Sequence, residues 1–442
     1  MDLTQEQATV AEQAIESLLS SEDKSAAIVG GAGTGKSFVA SKILEMLPAG
    51  YTATFLAFTN KATYNLEKFV FNAGLGAQCS VSTIHKYLKL SKQRIDDKTG
   101  KRTFHKADNS YHDDQIQNPE THLLIIDEAG TVPNSDDSPL VYQIMELPNP
   151  ILALGDPYQL PPPGEKEGCL LHLLNNRTYE LTQVMRYSGG LLDTANYLRE
   201  HIRESYALDA FKYSNNDTET GLFRLARSQT YKTIHQFVKA EGFIENPDSF
   251  RVLTWRKKSM EYWNQLMKVA LYSEEKAEER FLIGERIIAL ESCTTTETVH
   301  TRHSTRTRTV KLLSASQEAT ITDIQVITET LLGAEFTYYF LDLLTDIGGV
   351  SWVRVIHESY EDDLTKLLKG LASQRRWSDY WRIKDYFHDI RSALSLNIDR
   401  CQGITLENTL IDLDDVMSCK DIYHRNRVAY TMLTRSKYRV YV

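Results

Sequence analysis

One glycine-rich run, GGAGTGKS at residues 30–37, constrains the fold of this chain more than any other feature. An apolar stretch at residues 26–29 precedes the run, and an amphipathic stretch at residues 38–47 follows it. A strand, a glycine-rich turn and a helix in this order form a P-loop, whose backbone N–H groups converge on phosphate oxygens. The run therefore predicts a nucleotide-binding domain with a parallel α/β sheet. The alternative is a chance match in a flexible loop.

The residues of this run take three roles in the predicted P-loop. Lys36 adds a full positive charge, and Ser37 offers a hydroxyl group to Mg²⁺. The N-terminus of the following helix adds a partial positive charge. The backbone groups that contact phosphate are expected from Gly31, Gly33, Thr34 and Gly35.

The composition indicates an ordinary globular chain in a reducing compartment. The chain has 442 residues, a net charge of −9 and five scattered cysteines. Such cysteines argue against a disulfide framework or a structural zinc site, and no apolar run reaches the length of a membrane span. We therefore expect a cytoplasmic protein with no membrane partner, near the nucleoid or, if viral, in the host cytoplasm. The negative charge argues against a passive DNA coat but allows a local nucleic-acid groove.

A second motif, LLIIDE at residues 123–128, is an apolar strand that ends in two carboxylates. At the carboxyl end of a parallel strand, Asp127 can hold the water shell of Mg²⁺ and Glu128 can polarise an attacking water. The alternative is an edge strand that ends in a solvated acidic pair. Because a P-loop precedes it in the same chain, we favour the catalytic interpretation.

Phosphoryl transfer also needs a group that senses the γ-phosphate and positive charge aimed at it. Gln159 in GDPYQLPP is the candidate sensor. Arg186 in LTQVMR and Arg435 in YTMLTR are the candidate cations. Taken singly, each arginine is more typical of a surface residue, so the prediction depends on the whole set occurring in one order.

The order of all the motifs resembles that of superfamily-1 helicases of the RecD-like, Dda-like group. Besides those above, the matching segments are LTQEQ at 3–7, AFTNKA at 57–62, STIH at 82–85, RVLTW at 251–255 and CQGIT at 401–405. The resemblance implies an α/β fold with two RecA-like parallel-sheet lobes. It assigns residues 1–190 to lobe 1A, with a β-hairpin pin inserted at about 91–118. Lobe 2A would comprise 191–285 plus 391–442, and 286–390 would form an SH3-like accessory domain with a helical extension.

The resemblance also implies ATP and Mg²⁺ as cofactors and assigns most of the site residues. Gln7 would read the adenine, and Gly403 would contribute to the nucleotide site from lobe 2A. Ser37 and Asp127 would hold the metal. The catalytic set would be Lys36, Asp127, Glu128, Gln159, Arg186 and Arg435. The single-strand groove would be lined by Phe58, Thr59, Asn60, Thr83, His85, Thr254, Trp255 and Asn397.

The two insertions carry further expectations. Phe104 lies in the expected pin, where an aromatic ring could stack on a base. Trp377 and Trp381 share a helix face, and we interpret them as packing residues that brace the pin. An arginine row in the accessory domain could follow a phosphate backbone, although a solvated charged strand fits equally: Arg302, Arg306 and Arg308.

These features predict a DNA-stimulated ATPase that moves on single-stranded DNA as a monomer and unwinds duplex at junctions. The 5′-to-3′ direction is implied by the resemblance alone. Replication or recombination proteins are possible partners. The chain departs from the group's pattern at Asp399, where histidine is usual; aspartate also occurs there in an RNA-acting branch of the superfamily. An RNA or RNP-remodelling helicase is therefore the first alternative. A nucleic-acid-binding module with a decayed ATPase and a P-loop kinase are weaker ones.

Overall fold

The chain forms two parallel-sheet lobes and a third, antiparallel region. The computed structural model describes residues 2–20, 24–106, 119–135, 138–162, 164–165, 167–168, 170–171, 174, 177–217, 219–301, 304–346 and 348–442. Short 3-10 helices lie at Pro119–Thr121, Ala129–Thr131, Ala207–Phe211, Pro247–Ser249 and Glu358–Tyr360.

The first lobe is built on a six-stranded sheet with the strand order β10-β1-β9-β6-β2-β3. All its strand pairs are parallel, and β1, β6 and β9 are buried along their whole length. Burial on both faces explains the continuous apolar runs that the sequence shows. The strands are β1 (Ser25–Gly30), β2 (Thr52–Ala57), β3 (Cys79–Thr83), β6 (His122–Ile126), β9 (Ile151–Gly155) and β10 (Thr178–Leu181).

Helices and small hairpins surround this sheet. The helices are α1 (Gln5–Leu18), α2 (Lys36–Met46), α3 (Asn60–Asn72), α4 (Ile84–Tyr87) and α5 (Leu140–Met145). The hairpins pair β4 (Leu90–Ile95) with β5 (Arg102–Lys106), and β7 (Asn134–Ser135) with β8 (Ser138–Pro139).

The second lobe repeats this plan with the strand order β11-β12-β23-β22-β13-β21, in which only the β11–β12 pair is antiparallel. Its strands are β11 (Asn215–Asn216), β12 (Gly221–Phe223), β13 (Phe250–Thr254), β21 (Ser395–Asn397), β22 (Leu406–Ile411) and β23 (Ser436–Tyr441). Its helices are α6 (Gly190–Glu200), α7 (Arg227–Val238), α8 (Lys257–Leu271), α9 (Glu274–Ala277), α12 (Ile398–Cys401), α13 (Leu413–Met417) and α14 (Ile422–Leu433). The α/β class and the P-loop fold predicted from the sequence are thereby confirmed.

From Arg286 to Ser392 the chain forms an antiparallel sheet of five strands with the order β19-β18-β17-β14-β20. Its strands are β14 (Arg286–Ala289), β17 (Glu318–Leu331), β18 (Ala334–Thr345), β19 (Val350–Ile356) and β20 (Ile390–Ser392), and a separate hairpin pairs β15 (Cys293–Thr301) with β16 (Ser304–Leu313). Two helices, α10 (Glu361–Ser373) and α11 (Trp377–Lys384), follow β19. Their apolar residues share a core with the far end of the β17–β18 hairpin. We call residues 286–390 the accessory region.

Candidate nucleotide site and nucleic-acid interface

The glycine-rich run lies between β1 and α2, as a P-loop requires. The Lys36 ammonium group is folded over this loop, where Nζ donates to the carbonyl oxygens of Gly30 at 2.8 Å and Gly31 at 3.1 Å. Desolvation lowers the pKa of Lys36, although the carboxylates of Asp156 and Glu128 counteract this effect. A cation held inside a ring of backbone groups is suited to phosphate binding.

Two side chains of the first helix tie it to this loop and to the segment that precedes Arg186. Gln7 forms a capping box with Thr4, and its Nε2 donates to the Thr34 carbonyl oxygen at 3.1 Å. The Glu6 carboxylate accepts hydrogen bonds from the Thr182 and Gln183 backbone N–H groups at 2.9 and 3.1 Å. Gln7 is therefore fixed beside the P-loop, and its contact with the adenine stays a prediction.

The carboxylate pair lies directly after β6, beside the P-loop. Desolvation and the neighbouring Glu128 raise the pKa of Asp127 to about 7, and Lys36 partly offsets this rise. A desolvated carboxylate that lines the same cleft as Ser37, with phosphate oxygens as further ligands, fits the way proteins hold Mg²⁺. Within the described residues no group of three or more His, Cys, Asp or Glu side chains could bind a metal alone. The fit therefore depends on a bound nucleotide.

One cleft of about 890 Å³ brings together residues from both lobes. The first lobe contributes its P-loop, Asp127, Glu128, Gln159 and Arg186, and the second contributes Gly403 and Arg435. Desolvation and the charge of Arg435 lower the pKa of Arg186. The two guanidinium groups therefore repel each other across the cleft. Two opposed cations in a cleft between sheets can stabilise charge that develops on a transferred phosphoryl group.

Two residues that sequence reasoning missed join the lobes beside this cleft. Arg427 donates from Nε to the Gln159 carbonyl oxygen at 2.7 Å. Tyr430 donates from its hydroxyl group to Asp156 Oδ2 at 2.9 Å. The sequence gives one signal for these two residues, which is their position on the helix that leads to Arg435. It does not indicate that their hydrogen-bond acceptors lie more than 260 residues away.

On the first lobe, the expected groove residues lie where β2 and β3 end. The rings of Phe58 and His85 lie 5.6 Å apart between centroids, and both side chains are partly exposed. Thr59 and Thr83 each accept a backbone hydrogen bond at a helix start, while Asn60 lies in the first turn of α3. Phe58 and His85 are therefore the side chains in this group best placed to stack on a base.

On the second lobe, only part of the expected set reaches the surface. Trp255 is partly exposed, whereas Thr254 is fully buried and Asn397 is 3% exposed. The Asn397 amide donates to Asp399 Oδ2 at 3.1 Å, so the aspartate that replaces the usual histidine holds this side chain inward. The Thr254 and Asn397 side chains are therefore too buried for the direct nucleic-acid contacts expected of them. Trp255 is the better candidate for a nucleic-acid contact on this lobe.

The expected pin is a hairpin that rests on the accessory region. Its turn is organised by Asp96, which accepts from the Thr99 backbone N–H group at 2.6 Å. The indole N–H groups of Trp377 and Trp381 donate to the carbonyl oxygens of Asp97 at 2.8 Å and Gly100 at 3.0 Å. These contacts agree with a bracing role for the two tryptophans.

The side chains of several expected residues are outside what the structure describes. Phe104 belongs to β5 and pairs with Gln93, but its side chain is not described. The same holds for the proposed arginine row at Arg302, Arg306 and Arg308. No helix of the described residues is long and apolar enough to cross a membrane.

Sequence comparison finds relatives along nearly the whole chain. The AAA domain family matches residues 2–216. Uncharacterized protein R530 of Acanthamoeba polyphaga mimivirus is 24% identical over 93% of this chain and 94% of its own length. The ATP-dependent DNA helicase Dda of Enterobacteria phage T4 is 20% identical over 94% of this chain and 93% of its own length.

Structural comparison extends the likeness to the complete fold. A structure of two coordinating Pif1 helicases at forked double-stranded DNA matches 100% of this chain and 92% of the Pif1 chain. The sequence identity is 14% and the TM-score is 0.50, so this match concerns the fold alone. The chain is thus similar to the AAA domain family over residues 2–216 and to the phage T4 helicase Dda over nearly its whole length, and its fold is similar to that of the Pif1 helicases.

Proposed function

We propose that this chain is an ATP-dependent DNA helicase that moves 5′ to 3′ along single-stranded DNA as a monomer. The observation that carries the proposal is the single cleft that holds the P-loop of one lobe and Arg435 of the other. A nucleotide bound there would contact both lobes at once. Hydrolysis would then change how the lobes are held together, which is the basis of movement in a two-lobed motor.

The proposed chemistry assigns one task to each residue of the cleft. Ser37 and Asp127 would hold Mg²⁺, which supplies charge neutralisation at phosphate oxygens. Lys36 would contact the same phosphates, and Glu128 would orient and polarise the attacking water. The proton of that water would pass to the Glu128 carboxylate. Around the γ-phosphate, the proposed sensor and cations are Gln159, Arg186 and Arg435.

The proposed DNA path crosses the carboxyl ends of β2, β3 and β13. Phe58, His85 and Trp255 would stack on successive bases, a contact worth about 1–3 kcal/mol per base. Opening one base-pair step costs about 1.4 kcal/mol. A stacked ring and a rigid hairpin at the fork could therefore offset much of the cost of separating each pair.

Polarity and substrate are the finer parts of the proposal. The 5′-to-3′ direction is supported by likeness to the Dda group. The DNA substrate is supported by the relatives, since Dda is named a DNA helicase and the Pif1 pair was solved at forked DNA. The second candidate is an RNA helicase, and the observation that favours it is Asp399, which binds Asn397.

Unwinding of tailed duplexes tests all parts together. Four substrates would carry a 5′ or a 3′ tail made of DNA or RNA, and ATP hydrolysis would be measured alongside strand separation. We expect unwinding of the 5′-tailed DNA substrate and stimulation of ATPase by single-stranded DNA. Unwinding from 3′ tails would contradict the polarity, preference for RNA tails would favour the second candidate, and absence of DNA-stimulated hydrolysis would contradict the motor itself.

A further inference from the structure

A buried arginine of the second lobe donates hydrogen bonds to the backbone of the first lobe at Gln159. Arg427 lies in α14 and is 3% exposed. Its Nε donates to the Gln159 carbonyl oxygen at 2.7 Å, and its Nη2 donates to the same oxygen and to the Pro157 carbonyl oxygen at 3.2 Å. Because burying a charge is costly unless its hydrogen bonds are met, these carbonyl groups are needed to retain the guanidinium there. The contact therefore fixes the backbone of the loop that carries Gln159.

A second residue of the same helix fixes the side chain of Gln159 through a shared carboxylate. Tyr430 lies one turn after Arg427 and donates to Asp156 Oδ2 at 2.9 Å. The same oxygen accepts from Gln159 Nε2 at 3.3 Å, and Asp156 Oδ1 accepts from the Tyr158 N–H group at 3.0 Å. Asp156, Gln159 and Tyr430 are all nearly fully buried. The backbone and the side chain of Gln159 are thus both linked to α14.

The same helix leads directly to Arg435. The Arg435 backbone N–H group donates to the Met432 carbonyl oxygen at 3.1 Å, and its Nε donates to the Thr431 carbonyl oxygen at 3.1 Å. Arg435 is 2% exposed and is held by the last turn of α14 rather than by a loose loop. One helix therefore contains the two residues that hold Gln159, and the turn directly after this helix carries Arg435.

We propose that Arg427 and Tyr430 are positioning residues that fix Gln159 relative to Arg435. On this view the γ-phosphate sensor and the arginine of the opposite lobe respond as one unit when the lobes close on a nucleotide. The inference rests on the proposed ATPase function and adds two residues to it. Because a misplacement of about 1 Å can cost on the order of 100-fold in rate, loss of either contact should lower turnover more than binding.

The test compares ATP turnover of four single variants in the full chain with single-stranded DNA present. Arg427→Gln removes the charge, Arg427→Lys keeps it but cannot form the same fork of hydrogen bonds, and Tyr430→Phe removes only a hydroxyl group. Arg203→Gln is the matched control, because Arg203 stacks on the same Tyr423 ring as Arg427 but its side chain is 68% exposed.

We expect Arg427→Gln to lower kcat by about 10- to 100-fold with KM for ATP changed less than about twofold, as expected for misplacement near the reacting atoms. Arg427→Lys should recover only part of the loss, Tyr430→Phe should show a smaller loss of the same kind, and Arg203→Gln should match the wild type. If Arg427→Gln fails to fold, as judged by circular dichroism, Tyr430→Phe alone carries the test.

A double variant separates positioning from general support of the fold. If Arg427 acts through Gln159, Arg427→Gln should lower kcat little further in a Gln159→Ala background. The inference is overturned if the losses multiply, if kcat is unchanged in both Arg427→Gln and Tyr430→Phe, or if only KM and thermal stability change. Failure of the wild type to hydrolyse ATP would instead contradict the proposed function, so the two failures are distinguishable.

Discussion

Gly33 and Arg186 approach so closely that a Cβ atom on the glycine would lie 2.3 Å from the Arg186 Cβ. The adjacent backbone is joined as well, because the Met185 N–H group donates to the Gly33 carbonyl oxygen at 2.8 Å. Gly33 also has a φ of 86°, in the region that L side chains rarely adopt. The P-loop is therefore shaped against the segment that presents Arg186, and only glycine fits between them.

Gly33→Ala should lower ATP turnover and nucleotide affinity by about tenfold or more, equivalent to about 1.4 kcal/mol. The added methyl group must displace either the loop or Arg186. Gly50→Ala is the matched control, because Gly50 has a similarly positive φ of 99° but nothing within 4 Å of the added Cβ. Turnover and binding of a fluorescent ATP analogue measure both effects. Equal losses in the two variants would contradict the role of the contact.

Glu128→Gln should abolish most hydrolysis while nucleotide binding persists. The amide keeps the size of the side chain but cannot accept the proton of the attacking water, which should cost about 10²- to 10⁴-fold in kcat. Glu120→Gln is a suitable control, since Glu120 forms an exposed ion pair with Lys24 at 3.1 Å. Single-turnover hydrolysis and equilibrium nucleotide binding measure the two quantities. Substantial turnover in Glu128→Gln would move the base to another residue.

Arg435→Lys should lower kcat by about 10³- to 10⁵-fold if Arg435 acts as an arginine finger. Lysine keeps a positive charge but lacks the planar fork of donors. Arg439→Lys, four residues further along, serves as the control because the partly exposed Arg439 side chain donates to the Glu219 carbonyl oxygen and does not line the cleft. ATP turnover and ATP affinity would be measured for both. A loss of affinity without a loss of kcat would contradict the finger role.

The P-loop cleft could be predicted from the sequence because its parts are set by local geometry. Asp127 directly follows β6, and Lys36 follows the glycine-rich loop after β1 in the same parallel sheet. Their proximity can therefore be predicted without knowledge of distant contacts. The sequence pattern also predicts a helix at residues 428–437, but this prediction is wrong at its end, since α14 ends at Leu433 and β23 begins at Ser436. A tight turn at Thr434 and Arg435 separates them, and helix periodicity does not reveal it.

The sequence does not predict which residues form contacts between the lobes, or how deeply each site residue is buried. The motif position of Asn397 suggested a groove contact, but β21 pairs with β13 and holds this residue inside the lobe. Glu318 gave no signal at all, although its carboxylate binds Lys61, which lies 257 residues earlier in the chain. Such pairings depend on how separately folded units dock, which local sequence patterns do not encode.

Trp381→Leu should impair unwinding while leaving DNA-stimulated ATPase nearly intact. The change removes the hydrogen bond to Gly100 and the ring that lies 3.8 Å from the Arg102 guanidinium, a contact worth about 0.5–1 kcal/mol when exposed. Without these contacts the β4–β5 hairpin would be displaced by the duplex instead of separating its strands. Arg376→Ala is the control, because Arg376 directly precedes α11 and pairs with Asp379 of that helix, and its described contacts do not reach the hairpin. Equal loss of ATPase and unwinding would contradict this bracing role.

Glu318 joins three parts of the molecule through one buried carboxylate. It binds Lys61 of α3 at 3.1 Å, Arg251 of β13 at 2.8 Å and Arg286 of β14 at 3.1 Å. Burial alone would raise the pKa of Glu318, but these three cations outweigh it and hold the pKa well below its usual value of 4.5. Both lobes and the accessory region therefore depend on its negative charge.

Glu318→Gln should lower the free energy of unfolding at pH 7 by about 3–5 kcal/mol, because three cations would lose their shared partner. The depressed pKa means that the ionised form stabilises the fold above pH 4.5, and that this contribution is lost as the pH falls further. The difference between wild type and variant should therefore be full at pH 7 and shrink below pH 4.5. Denaturant unfolding at several pH values measures it, with the exposed Glu335→Gln as control. A difference that grows as the pH falls would show that the carboxylate is not held ionised by these cations.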